Sequence, residues 1–209
     1  MDYGKYCQQP QASIMMKLNN QYWSNRYSTG NTGWDTGQIT PPLQKYFDGL
    51  TNKNAAILIP GCGNSYEAAY LLQLGFTNIT LIDISAVLCE KLQQNFAGNA
   101  AIKIICADFF EHSGQYDLIV EQTFFCALHP ALRQAYARQM YRLLKPGGVI
   151  AGLLFNRQFE GGPPFGGSET EYRHLFSPLF NIRTLSPCYN SIPPRQGSEL
   201  FVIFCKTTI

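Results

Sequence analysis

The sequence predicts an α/β fold, in which a mostly parallel sheet carries helices on both faces. From residue 55 onward, short apolar runs of strand length alternate with segments whose apolar residues recur at helical spacing, which is typical of strands joined by crossover helices. Near the end of the chain, two strand-like segments have only a Pro-rich connection between them, so we expect an antiparallel pair to finish the sheet. The predicted strands are residues 55–60, 78–83, 101–106, 116–121, 149–155, 180–185 and 200–205.

Two helices are predicted from their ends. Residues 131–144 have apolar side chains at helical spacing, and the Lys-Pro-Gly-Gly run at 145–148 ends that helix. Pro41 and Pro42 mark the start of another helix, because proline is tolerated in the first turn. Residues 21–40, which precede it, are predicted to form an ordered loop rich in aromatic residues and glycine.

The composition indicates a single globular domain. The chain has 209 residues, of which 45% are hydrophobic and 14% are charged, enough for one substantial core. The formal net charge is +2 and the Lys and Arg residues are scattered, which argues against a nucleic-acid or membrane partner. The N-terminal stretch has no basic segment followed by a continuous apolar one. We therefore expect a soluble, cytoplasmic protein, with the monomer as the default state.

The cysteines and histidines predict neither a disulfide framework nor a metal site. Seven cysteines are spread along the chain without a Cys-x-x-Cys pair, and we interpret most of them as small buried hydrophobes in a reducing compartment. The three histidines stand far apart, and none has a partner at metal-ligand spacing. No metal cofactor is expected.

An apolar strand that ends in Gly61-Cys62-Gly63 gives the first indication of function. The next predicted strand ends in Asp83. Glycines let the backbone approach a ligand closely, and an acid at the neighbouring strand end accepts hydrogen bonds from a ribose. The pair predicts a nucleoside-containing cofactor. Nicotinamide, flavin and S-adenosylmethionine (SAM) enzymes all remain open at this point, although Tyr66 stands where a dinucleotide fingerprint needs a third glycine. The remaining alternative is a purely structural turn.

Acids and aromatic residues also follow the third and fourth predicted strands. Asp108 and Phe109 come after the third, and Glu121 ends the fourth just before an aromatic pair. In an open parallel sheet the ligand lies outside the carboxyl ends of the strands. Asp83 therefore suits the ribose hydroxyls, and Asp108 suits the adenine amino group with Phe109 beside the base. Both aspartates have a structural alternative, because Asp also caps helices.

Several motifs follow one another along the chain, at residues 22–27, 32–35, 61–63, 83, 107–109, 123–128, 143–148 and 162–165. In this order and spacing they resemble the class I SAM-dependent methyltransferases, and within them the thiopurine S-methyltransferase-like family. The branches of that family include bacterial relatives and the plant thiol, thiocyanate and halide methyltransferases. The resemblance runs from about residue 20 to the C-terminus.

The resemblance implies a Rossmann-like, seven-stranded fold and SAM as the cofactor, with S-adenosylhomocysteine as the product. It also implies one domain, with an N-terminal lid and helix in residues 1–50 and the core in 55–209. Glu121 stands where the family usually has Asp, which leaves its role open, and Arg195 falls near a family arginine on the substrate side. The implied cofactor-binding residues are Trp23, Tyr27, Trp34, Gly61, Cys62, Gly63, Asp83, Ile84, Asp108, Phe109 and Glu121.

The chemistry of a sulfonium cofactor suggests two further roles. Aromatic faces hold a cation without neutralising it, so Trp34 and Phe125 are predicted to lie against the methyl group, with ordinary core packing as the alternative for Phe125. Asp35 is the best-placed acid to accept a proton, with a turn residue as its alternative. Methyl transfer from SAM needs no enzyme nucleophile, so Cys62 has no predicted catalytic role.

The predicted reaction is S-methylation of a small thiol, or methylation of a related soft anion such as a halide or thiocyanate. A thiol with a free pKa near ~8.5 is already a few per cent thiolate at neutral pH and needs no strong base. The alternatives are O- or N-methylation of a small metabolite, and a SAM-binding module without turnover.

Overall fold

The computed structural model describes residues 18–207 and contains a sheet of seven strands in the order β3-β2-β1-β4-β5-β7-β6. The strands are β1 (Ile57–Pro60), β2 (Ile79–Asp83), β3 (Ile102–Cys106), β4 (Tyr116–Gln122), β5 (Leu144–Phe155), β6 (Phe180–Pro187) and β7 (Glu199–Lys206). The helices are α1 (Asn20–Ser28), α2 (Pro41–Asp48), α3 (Tyr66–Gln73), α4 (Ala86–Asn95), α5 (Arg133–Leu143) and α6 (Glu169–Phe176).

The strand pairing confirms the predicted mixed sheet. β1 pairs in parallel with β2 and with β4, while β3 and β5 extend the parallel sheet on either side. β7 pairs antiparallel with both β5 and β6. Strands β2 and β3 are added on one side of β1, and β4 and β5 on the other, so the strand order reverses between β1 and β4. Open α/β sheets bind ligands at such a switch point.

Helices cover both faces of the sheet, as the sequence predicts. Successive residues of a strand point to opposite faces, and β1 shows this directly: Leu58 belongs to one buried cluster, and Ile57 and Ile59 to the other. The first cluster includes residues of α5 and α6, and the second includes residues of α2, α3 and α4. Burying a side chain such as Leu or Ile contributes about 1.5–3 kcal/mol, so the two clusters hold the strand ends in fixed positions.

The first helix is a correction to the sequence prediction. Residues 21–28 belong to the segment predicted as a loop, but they lie in α1, whose Asn19 cap accepts a hydrogen bond from the Tyr22 backbone N–H at 3.0 Å. Its nine residues include none that is fully buried, so the apolar stripe that would mark a helix in the sequence is missing. A hydrogen bond of 3.1 Å between Ser24 and Ser85 joins α1 to the start of α4.

Three further observations concern the described residues alone. None of their helices is long and apolar enough to cross a membrane. Within residues 18–207 the cysteines are free, and most are buried. In the same range no group of His, Cys, Asp and Glu side chains is arranged to hold a metal ion.

Candidate functional site

A cavity of about 670 Å³ opens at the carboxyl edge of the sheet, outside the ends of β1, β2, β3 and β4. Its volume lies within the range of small-molecule sites, ~300–1,000 Å³. Its lining comes from two groups of chain segments. The first half, as the term is used here, is the lining from residues 18–36, 59–67, 82–84 and 107–110, and the second half is the lining from residues 120–132, 155–164 and 194–198.

The glycine turn after β1 forms the floor of the first half. Gly61 and Gly63 have φ angles of +54° and +53°, in the left-handed region that favours glycine. A Cβ on Gly61 would lie 2.2 Å from the Phe124 ring, so a larger residue does not fit there. Cys62 lines the cavity, but it is buried in the cluster beneath the sheet, and burial raises the pKa of its thiol well above the ordinary value.

Asp83 at the end of β2 both supports this turn and lines the cavity. Its Oδ1 accepts a hydrogen bond from the Ser85 N–H at 2.9 Å, and the Gly63 N–H lies 3.5 Å from its Oδ2. Burial raises the pKa of the carboxyl to about 6, although these N–H groups partly lower it. The cap of α4 is Ser85, which accepts a hydrogen bond from the Leu88 N–H, so Asp83 is not the capping residue. Ile84, between them, also lines the cavity.

Asp108 and Phe109 follow β3 and lie on the same edge. The Asp108 Oδ1 accepts a hydrogen bond from the Phe110 N–H at 2.8 Å and caps a short 3₁₀ helix, Phe109–Glu111. The Phe109 ring lies edge-on to Phe124, with centroids 5.1 Å apart. Both Asp108 and Phe109 line the cavity, so Asp108 caps this helix and also lines the cavity.

The aromatic residues of the N-terminal segment face this edge. Trp34 lies between Trp23 and Tyr27, with edge-on contacts of 5.6 and 5.8 Å between ring centroids. The Arg195 guanidinium donates a hydrogen bond of 2.8 Å to the Trp34 carbonyl oxygen. The structure thus brings together three aromatic side chains, predicted from a short stretch of sequence, and an arginine that lies 161 positions further along the chain.

Asp35 lies in the cavity lining, and its carboxylate has several partners. Its Oδ1 accepts a hydrogen bond from the Gly37 N–H at 2.9 Å, as expected of a turn residue. Its Oδ2 accepts hydrogen bonds from the Asn64 side chain and from the Tyr66 hydroxyl, the latter at 3.3 Å. Asp35 therefore ties the N-terminal segment to the start of α3, on the first half of the cavity.

Phe125 does not lie against the cavity, and that prediction is corrected. Its side chain is 1% exposed and packs edge-on against Tyr136, with centroids 5.0 Å apart. Thr123 has φ of +61°, and beyond this turn Phe124 faces the cavity while Phe125 enters the core. Phe125 belongs to the core, and Phe124 rather than Phe125 lines the cavity.

Glu121 is likewise outside the lining of this cavity. Its Oε1 accepts hydrogen bonds of 2.9 Å from the N–H groups of Phe124 and Phe125, and its Oε2 accepts one from the Tyr136 hydroxyl. Burial raises the pKa of this carboxyl to about 7. Glu121 supports the turn after β4, so its predicted contact with the cofactor is corrected to a structural role.

Three charged residues of the lining were not predicted as ligand-binding. Glu67, in the first turn of α3, is buried, and burial raises its pKa to about 7. Its position four residues beyond Gly63 could have identified it, because the first turn of the helix after a glycine turn faces the same ligand. Arg26 and Arg157 also line the cavity, but they lie in segments whose path is set by tertiary contacts, and local pattern does not identify them.

The fold and this cavity define the class of protein. The crystal structure of 1,6-didemethyltoxoflavin-N1-methyltransferase from Burkholderia thailandensis, with S-adenosylhomocysteine bound, has the same fold. It aligns with a TM-score of 0.74 over 94% of this chain and 90% of its own, at 18% sequence identity. The architecture is that of the class I SAM-dependent methyltransferases.

The family follows from the sequence comparison. A family model described as thiopurine S-methyltransferase matches residues 18–203, and the chain belongs to this family. Among its relatives, the probable thiol methyltransferase 2 of Arabidopsis thaliana is 31% identical over 193 residues, covering 89% of this chain and 85% of the relative. Thiocyanate methyltransferase 1 of Brassica oleracea is 29% identical over 184 residues, with 85% and 81% covered. The protein is a SAM-dependent methyltransferase, and SAM is its cofactor.

Proposed function

We propose that the protein methylates a small soft nucleophile, in the first place a thiol, or a halide- or thiocyanate-like anion. One observation carries this: among the described residues, the second half of the cavity has no carboxylate in its lining. An oxygen or nitrogen acceptor needs a base to take its proton, whereas a thiol ionises near pH ~8.5 without one. The names of the thiol and thiocyanate methyltransferase relatives agree with this choice of acceptor.

The proposed cofactor site is the first half of the cavity. SAM supplies an electrophilic methyl group on a sulfonium. We assign Asp83 to the ribose hydroxyls and Asp108 to the adenine amino group, while Glu67 suits an ammonium group. The glycine turn, free of Cβ atoms, leaves room for the methionine part. The remaining proposed contacts are Trp23, Tyr27, Trp34, Ile84 and Phe109, which all line the cavity.

The residues of this chain contribute alignment and exclusion of water. Phe124 and Trp34 present aromatic surfaces to the cavity, and a cation over such a face gains about 0.5–2 kcal/mol. His129 lies in the second half, but its Nδ1 already accepts a hydrogen bond of 3.2 Å from the Ala131 N–H. The carboxylate of Asp35 is held by neighbours of the first half, so we propose that it fastens the N-terminal segment and that the thiol proton leaves to solvent.

The experiment that tests the function is transfer of label from methyl-labelled SAM to panels of small thiols, phenols and amines. We expect labelled thioethers from the thiol panel alone. Label on the phenols or amines, with none on the thiols, would favour the O- or N-methylation alternative. Tight binding of SAM without transfer to any acceptor would instead favour the binding module without turnover.

We further propose that the chain forms one domain, in which residues 20–37 close over the cofactor as a lid. The chain has two tryptophans, Trp23 and Trp34, and both lie in this segment and line the cavity. Tryptophan fluorescence therefore reports on the lid alone. We expect S-adenosylhomocysteine to change the emission and to slow tryptic cleavage after Arg26. Equal cleavage rates with and without this product would contradict the lid.

The affinity for the cofactor is expected to depend on pH through Asp83. Its carboxyl has a pKa of about 6 in the free protein, and a protonated carboxyl is a weaker acceptor for ribose hydroxyls than a carboxylate. We expect the Kd of S-adenosylhomocysteine, measured by calorimetry, to rise about tenfold from pH 8 to pH 5 (1.4 kcal/mol). In Asp83→Asn this part of the pH dependence should be absent, and an unchanged pH profile in that variant would reject the assignment.

The raised pKa of Asp83 also determines how this carboxyl changes the stability of the fold as the pH changes. Because the folded-state pKa of Asp83 lies above its ordinary value of 3.8, its favourable contribution to stability is present below about pH 4 and is lost as the pH rises through 6. Bound cofactor whose ribose hydroxyls donate hydrogen bonds to the carboxylate should reverse this trend, since ligands stabilise the form that binds them.

A further inference from the structure

The carboxylates of the cavity lining all belong to the first half, which also includes Arg26. The acidic lining residues Asp35, Glu67, Asp83 and Asp108 all lie in the first half, which we assign to the cofactor. The described lining of the second half has the guanidinium groups of Arg157 and Arg195 and no carboxylate. Cationic and hydrogen-bond donor groups of the cofactor match the first half, and an anionic acceptor matches the second.

The two guanidinium groups belong to one cluster at the end of β5, here called the Arg–Phe cluster and formed by Phe155, Arg157, Phe159 and Arg195. The rings of Phe155 and Phe159 meet edge-on, with centroids 5.0 Å apart. The Arg157 guanidinium carbon lies 4.7 Å from the Phe159 centroid, and that of Arg195 lies 5.7 Å from the Phe155 centroid. An arginine thus lies against each ring of an apolar pair.

The charge of Arg195 is already balanced within the protein. Arg195 is 9% exposed, its Nη2 donates to the Trp34 carbonyl, and its Nη1 lies 3.6 Å from the Glu199 carboxylate. Glu199 is itself buried behind the cavity lining. Arg195 therefore closes the cavity next to the N-terminal segment, and its electrostatic partner is internal.

Arg157 differs, because its guanidinium has no such partner among residues 18–207. No ion pair and no side-chain hydrogen bond joins it to another described residue, and its guanidinium lies over the ring of Phe159. Its backbone is fixed, since the Arg157 carbonyl accepts a hydrogen bond of 3.0 Å from the Gly167 N–H. A guanidinium held against a ring presents a planar set of N–H donors that fits a carboxylate with two parallel hydrogen bonds.

We propose that Arg157 binds a carboxylate of the acceptor, so that the preferred acceptor is a small thiol that also carries a carboxylate group. This rests on the proposed S-methylation. In the reaction the acceptor sulfur loses its proton to solvent and forms the new bond to the methyl carbon. The old carbon–sulfur bond breaks, and its electron pair stays on the sulfur of S-adenosylhomocysteine. Arg157 takes no part in these bonds; it orients the acceptor and raises its affinity.

The test compares 4-mercaptobenzoate with 4-mercaptobenzamide, which has nearly the same size and shape but no charge. We expect kcat/KM of the wild type to be at least about tenfold higher for the carboxylate than for the amide, and we expect this difference to come from KM. The ratio of the two kcat/KM values should fall with added salt, because the site lies at an exposed side chain. In Arg157→Gln the ratio should approach one, because kcat/KM falls for 4-mercaptobenzoate and stays unchanged for 4-mercaptobenzamide. Arg157→Lys should retain part of the preference for the carboxylate.

The controls separate this inference from the proposed function. Arg138→Gln removes an exposed arginine of α5 outside the cavity lining, and should keep the wild-type ratio. The Kd of S-adenosylhomocysteine should be the same in Arg157→Gln as in the wild type, which shows that the fold is intact. If both thiols are methylated with a ratio near one, or if the ratio survives in Arg157→Gln, the inference is wrong and S-methylation stands. If 4-mercaptobenzoate, 4-mercaptobenzamide and the aliphatic pair 3-mercaptopropionate and 3-mercaptopropionamide are all unmethylated, the proposed S-methylation of small thiols itself fails, and the inference fails with it.

Discussion

Replacing Asp83 by alanine is expected to weaken the binding of S-adenosylhomocysteine by one to two decades in Kd. Asp83 ends β2 beside the glycine turn and lines the proposed cofactor half of the cavity. A hydrogen bond to a charged acceptor contributes about 1.5–3 kcal/mol, and each 1.4 kcal/mol is a tenfold change in Kd. Calorimetry with the purified protein measures the effect directly.

Asp83→Asn separates the two roles of this side chain. The amide oxygen can still accept the hydrogen bond from the Ser85 N–H, which keeps the turn at the start of α4, but it lacks the charge that strengthens bonds to ribose hydroxyls. We expect an affinity between those of the wild type and Asp83→Ala, with nearly unchanged thermal stability. Asp83→Ala that remains folded and binds within twofold of the wild type would remove Asp83 from the cofactor site.

Much of the fold could be predicted because its determinants are local. The apolar runs that became β1 to β4 are short and end in Gly, Asp or Glu, and the side chains at the ends of parallel strands meet at one edge whatever the loops do. Asp83, Asp108 and the Gly61–Gly63 turn were found in this way, and they lie together. The antiparallel β6 and β7 followed from the missing helix between them.

What the sequence did not predict depends on contacts between distant residues. α1 has no fully buried residue, and its tie to Ser85 joins positions 61 residues apart. Phe124 lines the cavity in place of the predicted Phe125 because Thr123 has a φ of +61°. Non-glycine residues rarely adopt this conformation, and the local sequence does not indicate it. Arg157 lines the cavity because the loop after β5 is closed by its bond to Gly167, which no periodicity reveals.

Of the substitutions proposed here, Glu121→Ala is expected to lower the stability of the fold the most. Its carboxylate accepts two backbone N–H groups and the Tyr136 hydroxyl, and it is 1% exposed. Each buried donor left without an acceptor costs about 1–3 kcal/mol, so we expect Glu121→Ala to lower the free energy of unfolding by about 3 kcal/mol or more. For a chain of this length, that corresponds to a fall in Tm of about 10 °C, which calorimetry or circular dichroism would measure.

Glu121→Gln is the matched control, because its amide oxygen can still accept both N–H groups while the charge is gone. The pKa of Glu121 is raised to about 7 from 4.5, so the favourable contribution of the glutamate to stability is present below about pH 4.5 and is lost as the pH rises through 7. The Tm of Glu121→Gln relative to that of the wild type should therefore increase from pH 5 to pH 8. If Glu121→Ala unfolds within 2 °C of the wild type, or if the difference between Glu121→Gln and the wild type falls with rising pH, the carboxylate is not the acceptor that holds the turn after β4. The position of Phe124 at the cavity would then depend on the packing of the rings alone.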